Sequence, residues 1–374
     1  MKTLGFPRMH KEQNEKRDFL PDFFESFLDY PAELYVESGY GKSMGYTEQD
    51  YLDKNPQMKF VSNAECYEKD IVVVLRCPEV HEMDRMRDNS TLVSMLHYPT
   101  RATRVEYLKK RNIFGVSMDA IRNDLMDRIV VDYKGTSGNG MSISFYELYK
   151  NMEKFDIAPR PLSVSIIGMG MVGLMAAKAA GKYGSSQNET LFRGRGLQPV
   201  IVNMLSRNIT SDRSMMKEIL SSADILVDAS NRGDASEYII DNELLANLPE
   251  HSVILDLSVD PYLQDVQPIQ VKAIEGIPTG TLDKYTFQPA DKEYDDIPPS
   301  VSTENRRTVV GCNAWPGIKP KACMALYGTQ LKPIIKLLIR NSKEDFKENH
   351  DDFFNRAIFR STIQFYEKPC RNLI

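Results

Sequence analysis

Ser163-Val164-Ser165-Ile166-Ile167-Gly168-Met169-Gly170-Met171-Val172-Gly173-Leu174-Met175-Ala176-Ala177-Lys178-Ala179-Ala180 decides how the rest of the chain is read. Val164 to Ile167 form an apolar run of the kind that becomes a buried strand. It breaks into Gly-x-Gly-x-x-Gly, and a helix-forming, Ala-rich segment follows. Gly168 permits a tight turn. Gly170 lets a pyrophosphate approach the backbone. Gly173 lets the helix pack close to the strand. The backbone N–H groups at Met171 and Val172 then open a helix whose positive dipole end suits phosphate. Strand before and helix after are the context that makes this motif a dinucleotide site rather than a structural turn.

The chain after the motif alternates strand and helix. Pro199 to Val202 reads as the second strand, Asp224 to Ser230 as the third, Val253 to Asp260 as the fourth, and Thr308 to Gly317 as a further strand running into a turn. This rhythm predicts a doubly wound parallel sheet. Ala229 and Ser230, at the end of the third strand, fall where a cofactor is met. NAD-binding sheets place an Asp or Glu near the end of the second strand to hold the ribose 2′-hydroxyl. Here the chain reads Val202-Asn203-Met204-Leu205-Ser206-Arg207, with no carboxylate. Asn203 or Ser206 suits a hydroxyl, and Arg207, Arg193 or Arg195 suits a 2′-phosphate. The balance tilts slightly to NADP over NAD. The polar stretch Ser185 to Gly196 reads as an inserted surface loop.

The first third of the chain carries a second set of strands: Thr3 to Phe6, Glu33 to Glu37, Asp70 to Arg76, Thr91 to His97 and Ile113 to Asp119. Continuous apolar runs are the mark of parallel strands buried on both faces. Three of them end in a polar residue, Arg76, His97 and Asp119, and ligands of open α/β sheets sit outside those ends. The glycines of Val131 to Ser144 read as an interdomain connector, and Ala322 to Ile339 as a long helix. The expectation is two Rossmann-like α/β domains with the active site in the cleft between them. Residues 1–135 plus 315–374 would form a discontinuous substrate domain, and 136–314 the nucleotide-binding domain.

Composition narrows the class. The 374 residues are 42% hydrophobic and 26% charged, with a formal net charge of -5, ordinary for a globular protein. There is no basic run for nucleic acid, no apolar run of the length that spans a bilayer, and no apolar core of a signal peptide near the start. Five cysteines without Cys-x-x-Cys spacing and five scattered histidines predict free thiols in the cytoplasm and no metal site.

Five short motifs in order resemble the alanine dehydrogenase and transhydrogenase superfamily, with saccharopine dehydrogenase and carboxyethylornithine synthase among its relatives. They are Gly5-Phe6-Pro7 with Asn14-Glu15-Lys16-Arg17, Glu37-Ser38-Gly39-Tyr40-Gly41, Leu96-His97, Val259-Asp260, and Asn313-Ala314-Trp315-Pro316-Gly317. The resemblance implies that Arg17 binds a substrate carboxylate, that His97 and Asp260 are catalytic, and that Asn313 meets cofactor or substrate. The family usually has Lys where Arg76 stands. A lysine titrates, whereas an arginine stays charged and offers a planar fork, so Arg76 suits a carboxylate clamp better than a proton donor. Asp119 and Arg128-Ile129-Val130-Val131 look nearer to saccharopine-type enzymes. The implied reaction is NAD(P)-dependent oxidoreduction at the CH–NH group of an amino acid, by opine- or saccharopine-type condensation of a keto acid with an amino acid. Reductive amination with ammonia, as in alanine dehydrogenase, and a non-catalytic NAD(P)-sensing protein are the alternatives. Amino-acid and keto-acid substrates and a homo-oligomer are the expected partners.

Overall fold

The computed structural model describes residues 1–158, 160–184 and 199–368. The chain divides into two compact units. The first comprises Met1–Lys11, Glu15–Asp132 and the chain from Lys319 onward, and the second comprises Glu12–Asn14 and Tyr133–Ile318.

The first unit is built on strands β1 (Lys2–Phe6), β2 (Ala32–Glu37), β3 (Lys59–Val61), β4 (Ile71–Arg76), β5 (Thr91–Met95) and β6 (Phe114–Ser117). They form one parallel sheet in the order β3-β2-β1-β4-β5-β6. The order reverses direction between β1 and β4, the switch point at which such sheets bind ligands. Phe6, Phe19, Phe23 and Phe24 pack edge-to-face and stacked on one face of this sheet. The helix Pro320–Arg340 buries Met324, Leu331, Ile334 and Ile335 in the same core.

The second unit carries β7 (Leu162–Ile167), β8 (Val200–Leu205), β9 (Ile225–Asp228), β10 (Val253–Asp256), β11 (Thr286–Phe287) and β12 (Thr308–Gly311). Their order is β11-β12-β10-β9-β7-β8, parallel throughout except for β11. The switch point lies between β7 and β9, beside the Gly-rich turn. Both units are thus α/β with doubly wound sheets.

Three local expectations are corrected. Val131 to Ser144 is no connector: Tyr133–Lys154 is one helix of 22 residues. A Cβ on Gly138 would meet nothing within 4 Å, whereas Gly140 serves packing. A Cβ on Gly140 would stand 2.9 Å from Leu255 and 3.0 Å from Leu257, so the small residue lets the helix press onto the sheet. Strand β8 runs to Leu205, three residues beyond the expected Val202. The strands expected to end in His97, Asp119 and Asp260 stop at Met95, Ser117 and Asp256, so His97 and Asp260 stand in loops beyond the strand ends and Asp119 in the 3-10 helix Met118–Ala120. The expected inserted loop, with Arg193 and Arg195, lies outside the described residues.

Candidate functional site

The Gly-rich turn has the geometry that its residues dictate. Gly168 adopts φ +103°, and a Cβ there would lie 2.3 Å from the Ala229 carbonyl oxygen. A Cβ on Gly173 would lie 2.1 Å from the Gly168 carbonyl oxygen. Only glycine fits either place. Gly170 differs: a Cβ there would meet nothing within 4 Å. The fold leaves open the space that a pyrophosphate would take. Gly170 caps the helix Met171–Tyr183 without a side-chain cap, so the first N–H groups, at Met171 and Val172, are offered outward.

A cavity of about 590 Å³ opens beyond the ends of β7, β8 and β9, lined by Gly168, Ser206, Arg207, Ser230, Arg232 and Tyr238 among others. Among the described residues, Arg232 Nε is buried with no hydrogen-bond partner. A buried donor beside a cavity is satisfied when a ligand brings an acceptor, and a dinucleotide fits this site. Ser206 caps the short helix Arg207–Thr210 at the end of β8. Asn203 instead points back into the sheet, donating to Ser163 Oγ at 3.2 Å, because β8 is longer than expected. Ala229 serves the turn, its N–H donating to the Ile167 carbonyl at 2.9 Å.

Asp260 sits past the end of β10. Arg232 Nη2 donates to Asp260 Oδ2 at 2.7 Å. The preceding Val259 has φ +52°, unusual for a β-branched residue. Its N–H donates to Asp256 Oδ1 at 2.7 Å. Asp256 in turn accepts from Lys272 Nζ at 2.8 Å, with both side chains 1% exposed. Ser258 Oγ donates to Asp228 Oδ2 at 2.6 Å. Burial, then the charge of Asp256, push the Asp228 carboxyl up to about 6. A buried network therefore fixes the segment that presents Asp260. Asn313 is exposed, its Nδ2 3.5 Å from Glu12 Oε1.

In the first unit, Arg17 and Glu15 form a buried two-pronged pair, with Nε to Oε1 at 2.9 Å and Nη2 to Oε2 at 2.6 Å. Burial opposes the Arg17 charge, but Glu15 outweighs it, and the guanidinium pKa rises. Burial likewise works against the Glu15 charge, and Arg17 with Arg76 brings its pKa below the ordinary value. Arg76 Nη1 lies 3.7 Å from the same Glu15 Oε2. Glu15 thus joins both expected carboxylate clamps. The Glu-x-Arg spacing is its only trace in the sequence.

His97 follows β5 with φ +49°. Its Nδ1 lies 3.4 Å from Asp119 Oδ2, and its ring is about half exposed, at 53%. Asp119 Oδ1 accepts from Ser117 Oγ at 2.6 Å and from the His97 N–H at 3.2 Å. Desolvation lowers the imidazole pKa. Asp119 opposes that shift, while Arg128, Arg101 and Arg104 add to it. Asp119 feels burial pushing it up, yet His97, Ser117 and Arg128 hold it below the ordinary value. Among the described residues Arg128 Nε is also buried without a partner. The structure brings His97 and Asp119 together, and Arg76 and Arg17 together through Glu15. The sequence reading missed Arg101, Arg104 and Ser117, which carry no motif.

Among the described residues, no group of three or more His, Cys, Asp or Glu is arranged to hold a metal ion, and no helix is long and apolar enough to cross a membrane.

Comparison with known proteins matches residues 6–130 to the family model described as alanine dehydrogenase/PNT, N-terminal domain, and residues 157–262 to alanine dehydrogenase/PNT, C-terminal domain. The NAD(P) transhydrogenase subunit alpha of Haemophilus influenzae is 22% identical over 370 residues, covering 95% of this chain and 70% of that protein. The alanine dehydrogenase of Methanococcus maripaludis is 21% identical over 272 residues, covering 69% of this chain and 72% of that one. Among solved structures, an L-alanine dehydrogenase superposes with a TM-score of 0.69 at 18% identity, covering 96% of this chain and 94% of the other.

Proposed function

The chain belongs to the alanine dehydrogenase/transhydrogenase superfamily, a family of NAD(P)-dependent oxidoreductases, and on that footing we propose that it acts on the CH–NH group of an amino acid formed from a keto acid and a second amino acid. The observation that carries the finer reading is the positive charge around His97. Arg104 Nη1 donates to the Leu96 carbonyl at 3.2 Å and Arg101 Nη1 to the Thr100 carbonyl at 2.9 Å, on either side of His97 in the chain, and Arg76 joins Arg17 at Glu15. A substrate with one carboxylate needs one such clamp. A condensed product carries two or more, and each charge-assisted contact contributes about 1.5–3 kcal/mol.

In this reading, Gly168, Met171, Val172 and Ser230 would hold a dinucleotide, with Ser206 and Arg207 at its ribose end and NADP slightly favoured, and its nicotinamide would supply the hydride chemistry. His97, neutral near pH 7 because its pKa is lowered, takes or returns the proton of the amine nitrogen. Asp119 orients the ring. Arg76 and Arg17 meet substrate carboxylate, Asp260 orients the substrate amine or a water, and Asn313 meets cofactor or substrate.

Absorbance at the NAD(P)H band tests the reading. Oxidation with pyruvate plus ornithine or lysine, and not with pyruvate plus ammonia, is expected. Turnover with ammonia alone would favour the second reading, reductive amination, which the similarity to alanine dehydrogenases supports. Cofactor binding without turnover of any pair would favour a non-catalytic sensor.

A further inference from the structure

Arg232 is 7% exposed in its side chain and lines the same cavity as Gly168 and Ser230. Backbone carbonyls set the plane of its fork: Nη1 donates to Glu237 at 2.7 Å and more weakly to Ala235 at 3.4 Å, and Nη2 to Val271. Nη2 also holds Asp260 Oδ2 at 2.7 Å. One donor is left over: Nε is buried and has no partner among the described residues. A guanidinium cannot shed that proton, and an unpaired buried donor beside a cavity is satisfied when a ligand brings an acceptor.

We propose that Arg232 links the cavity to Asp260, its Nε–H donating to an acceptor oxygen of the bound dinucleotide while Nη2 holds the Asp260 carboxylate. The inference rests on reading the cavity as the dinucleotide site. It makes Arg232 a ligand contact and a positioning residue for Asp260. The two acceptors share one positive charge, so they compete for it. Removing the Asp260 charge leaves more of it for the ligand.

The test is fluorescence titration of the full chain with NADPH. Arg232→Gln is expected to weaken binding roughly 10–100-fold, the loss of one charge-assisted contact. Arg232→Lys keeps the cation and the stem, guards against misfolding of the Gln variant, and should weaken binding at least threefold because the Nε donor is gone. Asp260→Asn should bind NADPH at least as tightly as the wild type. A merely structural role would weaken binding in the arginine and aspartate variants together. Folded Arg232→Gln protein within twofold of wild type, or equal weakening by Arg232→Gln and Asp260→Asn, overturns the inference alone. Wild-type protein that binds neither NADPH nor NADH overturns the reading of the cavity and the inference with it.

Discussion

His97 Nδ1 stands 3.4 Å from Asp119 Oδ2, while Asp119 Oδ1 takes the His97 backbone N–H at 3.2 Å. One carboxylate therefore fixes both the ring and the left-handed backbone that carries it. If His97 moves a proton in turnover, His97→Ala should lower kcat roughly 10²–10⁴-fold. NADPH affinity should hardly change, because the Gly168 turn belongs to the other unit. Steady-state kinetics beside a fluorescence titration separates the two. A folded variant with near-normal turnover removes His97 from the mechanism.

The same pair sets a pH dependence. Asp119 raises the His97 pKa against desolvation and three arginines. The net value lies below the ordinary 6.5, so the base form persists into mild acid. The acid limb of the rate profile should therefore lie on the acid side of the ordinary histidine value. Asp119→Asn removes the raising charge and should move that limb to still lower pH, together with a loss of kcat from the freed ring. A limb that stays in place would show that another group titrates.

Asp228 predicts a stability profile. Its carboxyl is raised from 3.8 to about 6 in the fold, so the native chain binds that proton more tightly than the unfolded chain. The stabilisation is complete below the unfolded value and is lost as pH rises through about 6. Asp228→Asn should leave stability near pH 4 little changed and raise the melting temperature near pH 8 relative to wild type. Thermal unfolding across that range measures it, and parallel profiles would refute the assignment.

Glu15 predicts a structural loss where the sequence alone suggests a purely kinetic one. Read from its motif, Arg17→Ala acts through substrate affinity, as a clamp binds ground and transition states alike. With Glu15 fully buried against it, Arg17→Ala also strands a carboxylate. Glu15→Ala strands the guanidinium in the same way and should cost about 3–5 kcal/mol in urea unfolding. A cost under about 1 kcal/mol would mean that solvent reaches the pair.

For the cofactor, β8 ends at Leu205 with Ser206 and Arg207 beside the cavity and no carboxylate at the strand end, while Asp234 and Glu237 line the cavity elsewhere. NADPH should bind at least as well as NADH. A preference for NADH above tenfold, about 1.4 kcal/mol, would strip Arg207 of a 2′-phosphate role.

The sequence by itself determined the elements whose signal is local. Ile71 to Leu75 and Val253 to Leu255 are buried on both faces, and such strands must be continuous apolar runs. The turn at Gly168 needs glycine for steric reasons, so the motif is legible wherever it stands. The first half of helix Tyr133–Lys154 was not legible, because Gly140 answers to Leu255 and Leu257, more than a hundred residues away. The tertiary structure alone decided the charge partners. Arg232 meets Asp260 across 28 positions, and Lys272 meets Asp256 across 16. No periodicity marks these pairs. A buried charge needs a partner, and which partner it finds depends on how the loops close over the strand ends.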